Sequence, residues 1–136
     1  MTMNVTKAGF DLGLVTNNGD AMLEFYRDVL GLRFEATLTM EKAGIAAMHR
    51  VWANDSLLKI VVPVTAPKAA PEPGGISTAT GFRYFTFTID NLDDVLAAVE
   101  AAGLPVIWPR REIRPGVNVG MVEDPDGNWV EFVEVS

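Results

Sequence analysis

Two charged residues stand inside apolar runs of this chain. Lys59 interrupts the run from Leu57 to Val62, and Glu131 interrupts the run from Trp129 to Val133. Because charged side chains are rarely buried without a partner, each must meet either an opposite charge or a ligand. An ammonium group can bind a substrate carboxylate or stabilise an enolate oxygen, and a glutamate can abstract a proton α to a carbonyl. These two residues are therefore the first candidates for chemistry.

Lys59 also has a structural explanation, because an ion pair with Glu131 or Asp11 would satisfy its charge. A Schiff base at Lys59 is disfavoured, because nearby carboxylates stabilise the protonated amine, which is not a nucleophile. Tyr84 can donate a hydrogen bond or act as an acid. His49 is the only histidine, and two explanations are open for it. It is either a strand residue whose ring is hydrogen-bonded within the protein, or a residue that acts as an acid or base. We expect Lys59, Glu131 and Tyr84 to be catalytic, and Asp11, Trp129, Thr86 and His49 to bind ligand.

The candidate positions belong to a pattern that occurs twice. Asp11 opens an alternating stretch and precedes Lys59 by 48 residues, while Tyr84 opens another and precedes Glu131 by 47. In each half a helical pattern follows the opening stretch and ends at a glycine. A duplicated module with a polar residue at four matching positions indicates a cleft built around a pseudo-twofold axis.

The elements that position these residues are predicted to be βαβββ in each half. The predicted strands cover 9–16, 32–40, 45–53 and 57–62, then 83–89, 106–108, 117–122 and 129–135. The predicted helices run from Ala21 to Leu30 and from Leu92 to Ala102, and they end at Gly31 and Gly103. Residues 109–116 are predicted to be a loop, in which Arg110, Arg111 and Arg114 form a solvated face or, as the less favoured alternative, gate the cleft and meet an anionic substrate. Asp124 to Asn128 is predicted to be a turn.

These elements predict an α+β fold of two tandem modules whose mixed sheets curl into a cleft. We expect one domain over residues 1–136, with module one at 8–62, a proline-rich linker at 63–81 and module two at 82–136. Side chains alternate between the two faces of a strand, so the four polar candidates would share the cleft face. The opposite, helix-covered face would take Leu12, Leu14, Leu58, Ile60, Phe85, Phe87, Val130 and Phe132.

Composition narrows the function further. The chain has 136 residues, of which 49% are apolar, and its net charge is -7. An acidic surface repels phosphate backbones, so we expect no nucleic-acid partner. No apolar run is long enough for a membrane span, and the first residues lack a signal peptide, so we expect a cytoplasmic protein without a membrane partner. The absence of cysteine excludes disulfides and thiolate chemistry.

Two segments resemble the vicinal oxygen chelate superfamily, which includes glyoxalases, bleomycin-resistance proteins and extradiol dioxygenases. They are Phe25 to Leu32 in the first half and Glu123 to Phe132, with its Asp-Pro-Asp-Gly turn, in the second. The resemblance implies that two strand residues from each half bind a divalent ion. The matching positions here carry Asp11, Lys59, Tyr84 and Glu131, and a charged lysine has no acceptor to offer a metal. We therefore expect no cofactor, and Asp11 and Glu131 as the ligands if a divalent metal does bind.

Three functions fit these observations. The first is a glyoxalase-like lyase or isomerase that acts on a carbonyl compound through Lys59, Glu131 and Tyr84 instead of a metal. The second is a binding protein that sequesters a small molecule, as bleomycin-resistance proteins do. The third is a metal-dependent enzyme in which Lys59 swings away and Asp11 and Glu131, with or without His49, hold the ion. The resemblance also implies a homodimer with a small-molecule ligand.

Overall fold

The structure is a computed structural model that describes residues 1–136. The chain divides into two compact units, Met1–Lys68 and Ala69–Ser136, and each contains one βαβββ module. The first contains β1 (Asp11–Val15), α1 (Gly19–Leu23) with a π-helical segment (Glu24–Val29), β2 (Arg33–Met40), β3 (Ile45–Ala53) and β4 (Ser56–Pro63). The second contains β5 (Tyr84–Ile89), α2 (Leu92–Ala101), β6 (Val106–Arg114), β7 (Val117–Glu123) and β8 (Trp129–Val135). Short 3-10 turns lie at Glu41–Ala43 and Gly75–Ser77.

Both sheets have the same topology, which confirms the predicted α+β fold of two tandem modules. The strand orders are β1-β4-β3-β2 and β5-β8-β7-β6. In each sheet the first and last strands of the module are parallel neighbours, and the remaining pairs are antiparallel. The first strand can lie parallel to the last because the helix and two further strands provide the long connection that a parallel pair needs.

Each sheet carries its own helix on one face, and the apolar residues of alternating parity lie beneath it. A Cβ built on Gly120 would contact Leu92 and Leu96 of α2, and one built on Gly19 of α1 would contact Val62 of β4. In the first module the buried residues are Met22, Phe25 and Tyr26 of the helix and Val51, Leu58 and Ile60 of the sheet. In the second they are Leu92, Leu96 and Val99 of the helix and Val122, Val130 and Phe132 of the sheet. We call the opposite side of each sheet its helix-free face.

The first helix is not α-helical throughout, unlike the regular helix that the sequence predicted. Its second part is π-helical, and the amide of Leu30 donates to the carbonyl of Phe25 over 2.9 Å, five residues back. A single π-helical turn inserts one extra residue and changes which side chains share a face. As a result Phe25 and Tyr26, although adjacent in sequence, are both fully buried with ring centroids 4.8 Å apart. Gly31 ends the helix as predicted, with a φ of 78°.

The prediction of a loop over residues 109–116 is wrong, because β6 continues to Arg114. β6 lies at the edge of its sheet, where a proline and irregular pairing are tolerated. Arg110 is exposed, and its guanidinium is also paired, since it donates to Glu134 over 2.6 Å and to Asp93 over 3.3 Å. The other carboxylate oxygen of Glu134 accepts the amide of Leu92 over 2.8 Å at the start of α2. These bonds fix the edge strand and the helix to β8.

The turn before β8 is organised by Asp124, as the sequence predicted. Its Oδ1 accepts the amides of Asp126 and Asn128 at 2.9 and 3.0 Å, and its Oδ2 accepts the Asn128 side chain at 2.9 Å. Gly127 takes a φ of 82°, in the region that favours glycine. This turn sets the start of β8 and therefore the position of Glu131.

None of the helices has the length and apolar character that crossing a membrane requires.

Candidate functional site

In the first module, Asp11 and Lys59 lie together on the helix-free face. Lys59 Nζ is 3.5 Å from Asp11 Oδ2, and Lys7 donates a short hydrogen bond to Asp11 Oδ1. The side chains of Lys59 and Asp11 are 34% and 37% exposed, so solvent or a ligand can reach this cluster. Of the two ion-pair partners that the sequence allowed for Lys59, the structure shows Asp11.

The charge on Asp11 is stabilised by both lysines. The hydrogen bond from Lys7 lowers the pKa of the Asp11 carboxyl most, partial desolvation opposes this effect, and the charge of Lys59 lowers the pKa further. Asp11 therefore stays ionised over the whole physiological range of pH. One carboxylate neutralises only one of the two ammonium groups that contact it.

A second charged cluster surrounds Trp52 on the same face. Its indole nitrogen donates to Glu35 over 2.8 Å, and Arg50 donates to the other oxygen of Glu35 over 2.9 Å. The cationic groups of Lys7, Arg33 and Arg50 lie 4.7, 5.6 and 5.9 Å from the ring centroid of Trp52. Such cation–π contacts hold the ring in place. Sequence reasoning missed this cluster because the register shift between Phe34 and Ala36, which places Glu35, has no sequence signature.

His49, which the sequence predicted to bind ligand, does not lie with these residues. Arg50 pairs with Lys59 across the sheet while His49 pairs with Ile60, so His49 points to the helix-covered face. There it is buried, and its Nδ1 lies 2.7 Å from the Thr37 hydroxyl. Burial lowers the pKa of His49, an effect that the charge of Asp20 opposes and that of Arg27 reinforces. The structure thus agrees with the expectation of a strand histidine that is hydrogen-bonded within the protein.

In the second module, Glu131, Thr86 and Tyr84 lie on the helix-free face. Thr86 is the register partner of Glu131, and its hydroxyl donates to Glu131 Oε1 over 2.7 Å. No donor bonds the second oxygen, Oε2, and the glutamate is half-buried. Tyr84 lies two residues before Thr86 on the same side of β5 and is exposed. The arrangement holds one carboxylate oxygen and leaves the other for a ligand.

Trp129 shares the face of Glu131, as predicted, but much of its ring is already in contact with protein. Its nitrogen donates to Glu123 over 3.2 Å, and Trp108 packs edge-on at 6.1 Å between centroids. A Cβ built on Gly75 would lie 2.1 Å from the ring, so the Gly75 backbone packs directly against it. Arg83 donates to the Gly75 carbonyl over 2.8 Å and fixes the segment there. These contacts favour a packing role over the predicted ligand-binding role.

The residues at the four matching strand positions do not suit a divalent ion. Lys59 is a cation without an acceptor, and both oxygens of Asp11 already face ammonium groups. His49, the remaining nitrogen ligand, points away from this face. No group of three or more histidine, cysteine, aspartate or glutamate side chains is arranged to hold a metal. The donor chemistry therefore disagrees with the metal site that the resemblance implies.

Comparison with known proteins identifies the class of protein that has this fold. The profile of the Glyoxalase/Bleomycin resistance protein/Dioxygenase superfamily matches residues 10–132. The chain belongs to this superfamily. No curated protein matches it in sequence.

Several solved structures share the fold. Lactoylglutathione lyase from Agrobacterium tumefaciens is 25% identical, with a TM-score of 0.67 and 96% of each chain covered. A glyoxalase family protein from Bacillus cereus is 16% identical, with a TM-score of 0.81 over 99% of this chain and 98% of the other. TnmS3, an antibiotic binding protein from Streptomyces sp. CB03234, is 19% identical, with a TM-score of 0.71 over 99% of this chain and 100% of the other. The fold is thus shared by a protein named as an enzyme and one named as a binder, and the choice rests on the site.

Proposed function

We propose that this protein is a glyoxalase-like enzyme that acts as a lyase or isomerase on a small carbonyl compound and needs no divalent ion. Glu131 is the general base that removes a proton from the carbon next to the carbonyl. Thr86 positions the base, and Tyr84 supplies a hydrogen-bond donor on the same strand.

The observation that carries this proposal is the arrangement around Glu131. A general base needs an oxygen without a donor and a fixed orientation. Glu131 has both, because Thr86 holds Oε1 and no donor bonds Oε2. A glutamate placed only for stability would be expected to pair both oxygens, as Glu35 and Glu134 do.

Hydrogen exchange tests the reaction without knowledge of the natural substrate. Proton abstraction gives an enolate, which takes up a deuteron when the solvent is D2O. We would incubate the protein with pyruvate, phenylpyruvate or hydroxyacetone and follow the loss of the α-proton signals by NMR. Catalysed exchange of at least one compound is the expected result. Binding of these compounds without any catalysed exchange would contradict the enzyme and favour the binding protein.

Metal content is expected to stay far below one ion per chain. Untagged protein would be dialysed against mixed divalent ions, then against buffer, and measured by elemental mass spectrometry. The physical reason is the charge of Lys59, which repels a cation and provides no lone pair. One tightly held ion per chain would overturn the metal-free proposal and support the metal-dependent alternative.

A binding protein that sequesters a small molecule is the second candidate function. The cluster around Trp52 supports it, because a half-buried indole held by Glu35 and flanked by cations offers a rigid apolar surface. If the protein is only a binder, the ion pair between Asp11 and Lys59 is structural and takes no part in a reaction. A ligand that binds tightly and is recovered unchanged would distinguish this function from catalysis.

We also propose that the protein forms a homodimer. Phe82 is fully exposed and Phe10 is 73% exposed, and aromatic residues are enriched at protein interfaces. Sedimentation equilibrium at several concentrations is expected to give the dimer mass for the wild-type chain. Phe82→Ser is expected to weaken the association, and a monomeric wild-type protein at all concentrations would contradict the proposal.

A further inference from the structure

Gly13 leaves an open space beside Lys59. β1 and β4 are parallel neighbours, and Gly13 is the register partner of Lys59. A Cβ built on Gly13 would have no heavy atom within 4 Å outside its own chain neighbours. The φ of Gly13 is not in the left-handed region, so its backbone does not require glycine. Glycine inside a strand weakens the strand and often marks a place where a ligand approaches closely.

The second module shows what this position does when a side chain fills it. Thr86 is the register partner of Glu131, as Gly13 is of Lys59. The Thr86 hydroxyl covers one oxygen of Glu131 over 2.7 Å. Gly13 covers nothing, and the only ion-pair partner of Lys59 is Asp11 at 3.5 Å. An ammonium group has three donors, so Lys59 can still bind an acceptor that enters above Gly13.

The charges around this space favour an anion. The helix-free face of the first sheet and its flanking segment bring together four cations, Lys7, Arg33, Arg50 and Lys59. Two carboxylates, Asp11 and Glu35, accompany them. The face is therefore positive although the chain as a whole has a net charge of -7. A local excess of one sign attracts ligands of the opposite sign.

We propose that Gly13 and Lys59 form a subsite for the carboxylate of a small organic anion, within the first module alone. This inference goes beyond the proposed function, because the proposed base, Glu131, belongs to the second module. Gly13 determines specificity by leaving room for the anion. Lys59 binds the anion by a charge-assisted hydrogen bond, and Asp11 fixes the direction of the lysine side chain.

Acetate is the probe for this subsite, and acetamide is its neutral counterpart of the same shape. The protein has four lysines, so [13C]lysine labelling gives four sets of side-chain NMR signals, and the set that Lys59→Met removes belongs to Lys59. Addition of acetate in a buffer of low salt is expected to shift the Lys59 signals, and acetamide is expected to leave them unchanged.

Gly13→Thr tests the open space, because it gives the first module the residue that the second has at this position. We expect acetate to bind about tenfold more weakly or worse, as for loss of a charge-assisted hydrogen bond. Threonine favours strands over glycine, so the melting temperature is expected to stay the same or rise. Val15→Thr is the matched control, since it changes the next exposed position on the same side of β1 and should bind acetate normally.

Three results would overturn the subsite. They are an equal response to acetamide, wild-type affinity in Gly13→Thr, and no shift of Lys59 at any acetate concentration. Exchange of hydroxyacetone separates this inference from the proposed function, because hydroxyacetone has no carboxylate. Catalysed exchange without a Lys59 response would leave the enzyme standing and reject the subsite. A Lys59 response without exchange of any compound would support the subsite and reject the enzyme.

Discussion

Replacement of Glu131 by glutamine is expected to slow catalysed α-proton exchange by about 10²–10⁴-fold, the usual contribution of a general base. The amide cannot accept a proton, but its oxygen can still accept the hydroxyl hydrogen of Thr86, so the fold should not change. The measurement is the initial rate of deuterium incorporation into whichever carbonyl compound the wild-type protein exchanges. The melting temperature of the variant, measured beside it, is expected to remain close to that of the wild type.

Two further variants show whether the effect belongs to this carboxylate. Glu100→Gln makes the same chemical change on the exposed side of α2 and is expected to leave the rate unchanged. Thr86→Val removes the hydrogen bond to Glu131 Oε1 and is expected to reduce the rate by about tenfold, because it alters the position of the base but not the base itself. A wild-type rate in Glu131→Gln would show that another group takes the proton.

The strands and their faces could be predicted from the sequence because strand periodicity is strict. In β5 exposed and half-buried residues alternate along all six positions, as the alternation of Tyr84 to Ile89 requires. The same parity placed Lys59 and Glu131 opposite Ile60 and Phe132, which are buried. Each of these predictions needs only the local pattern of two residues per repeat.

Features that depend on pairing between strands could not be predicted in this way. The face of His49 follows from its register with Ile60, and the position of Glu35 follows from a register shift opposite Arg50. The continuation of β6 past Pro109 depends on its place at the sheet edge. The choice of Asp11 as the partner of Lys59 likewise depends on how β1 lies beside β4.

The contact between Gly75 and Trp129 could not be predicted from the sequence either. It leads to the substitution for which we expect the largest loss of stability. Gly75 has a φ of 63°, and a Cβ there would lie 2.1 Å from the ring of Trp129. Gly75→Ala is expected to lower the free energy of unfolding by about 3 kcal/mol, from the strain of a left-handed alanine and from overpacking. In a chain of this size that corresponds to a melting temperature roughly 10 °C lower, measured by calorimetry.

Gly103→Ala separates the two causes. Gly103 has a φ of 77°, and a Cβ built on it would have no neighbour within 4 Å, so this variant suffers only the backbone strain. We expect a loss of about 1–2 kcal/mol for Gly103→Ala, the cost of a left-handed alanine. Adding Trp129→Val should recover part of the loss in Gly75→Ala, because the smaller side chain removes the clash and the two changes are then not additive. Equal losses in Gly75→Ala and Gly103→Ala would mean that the Gly75 backbone does not pack against Trp129, and Trp129 would again be a candidate for ligand binding.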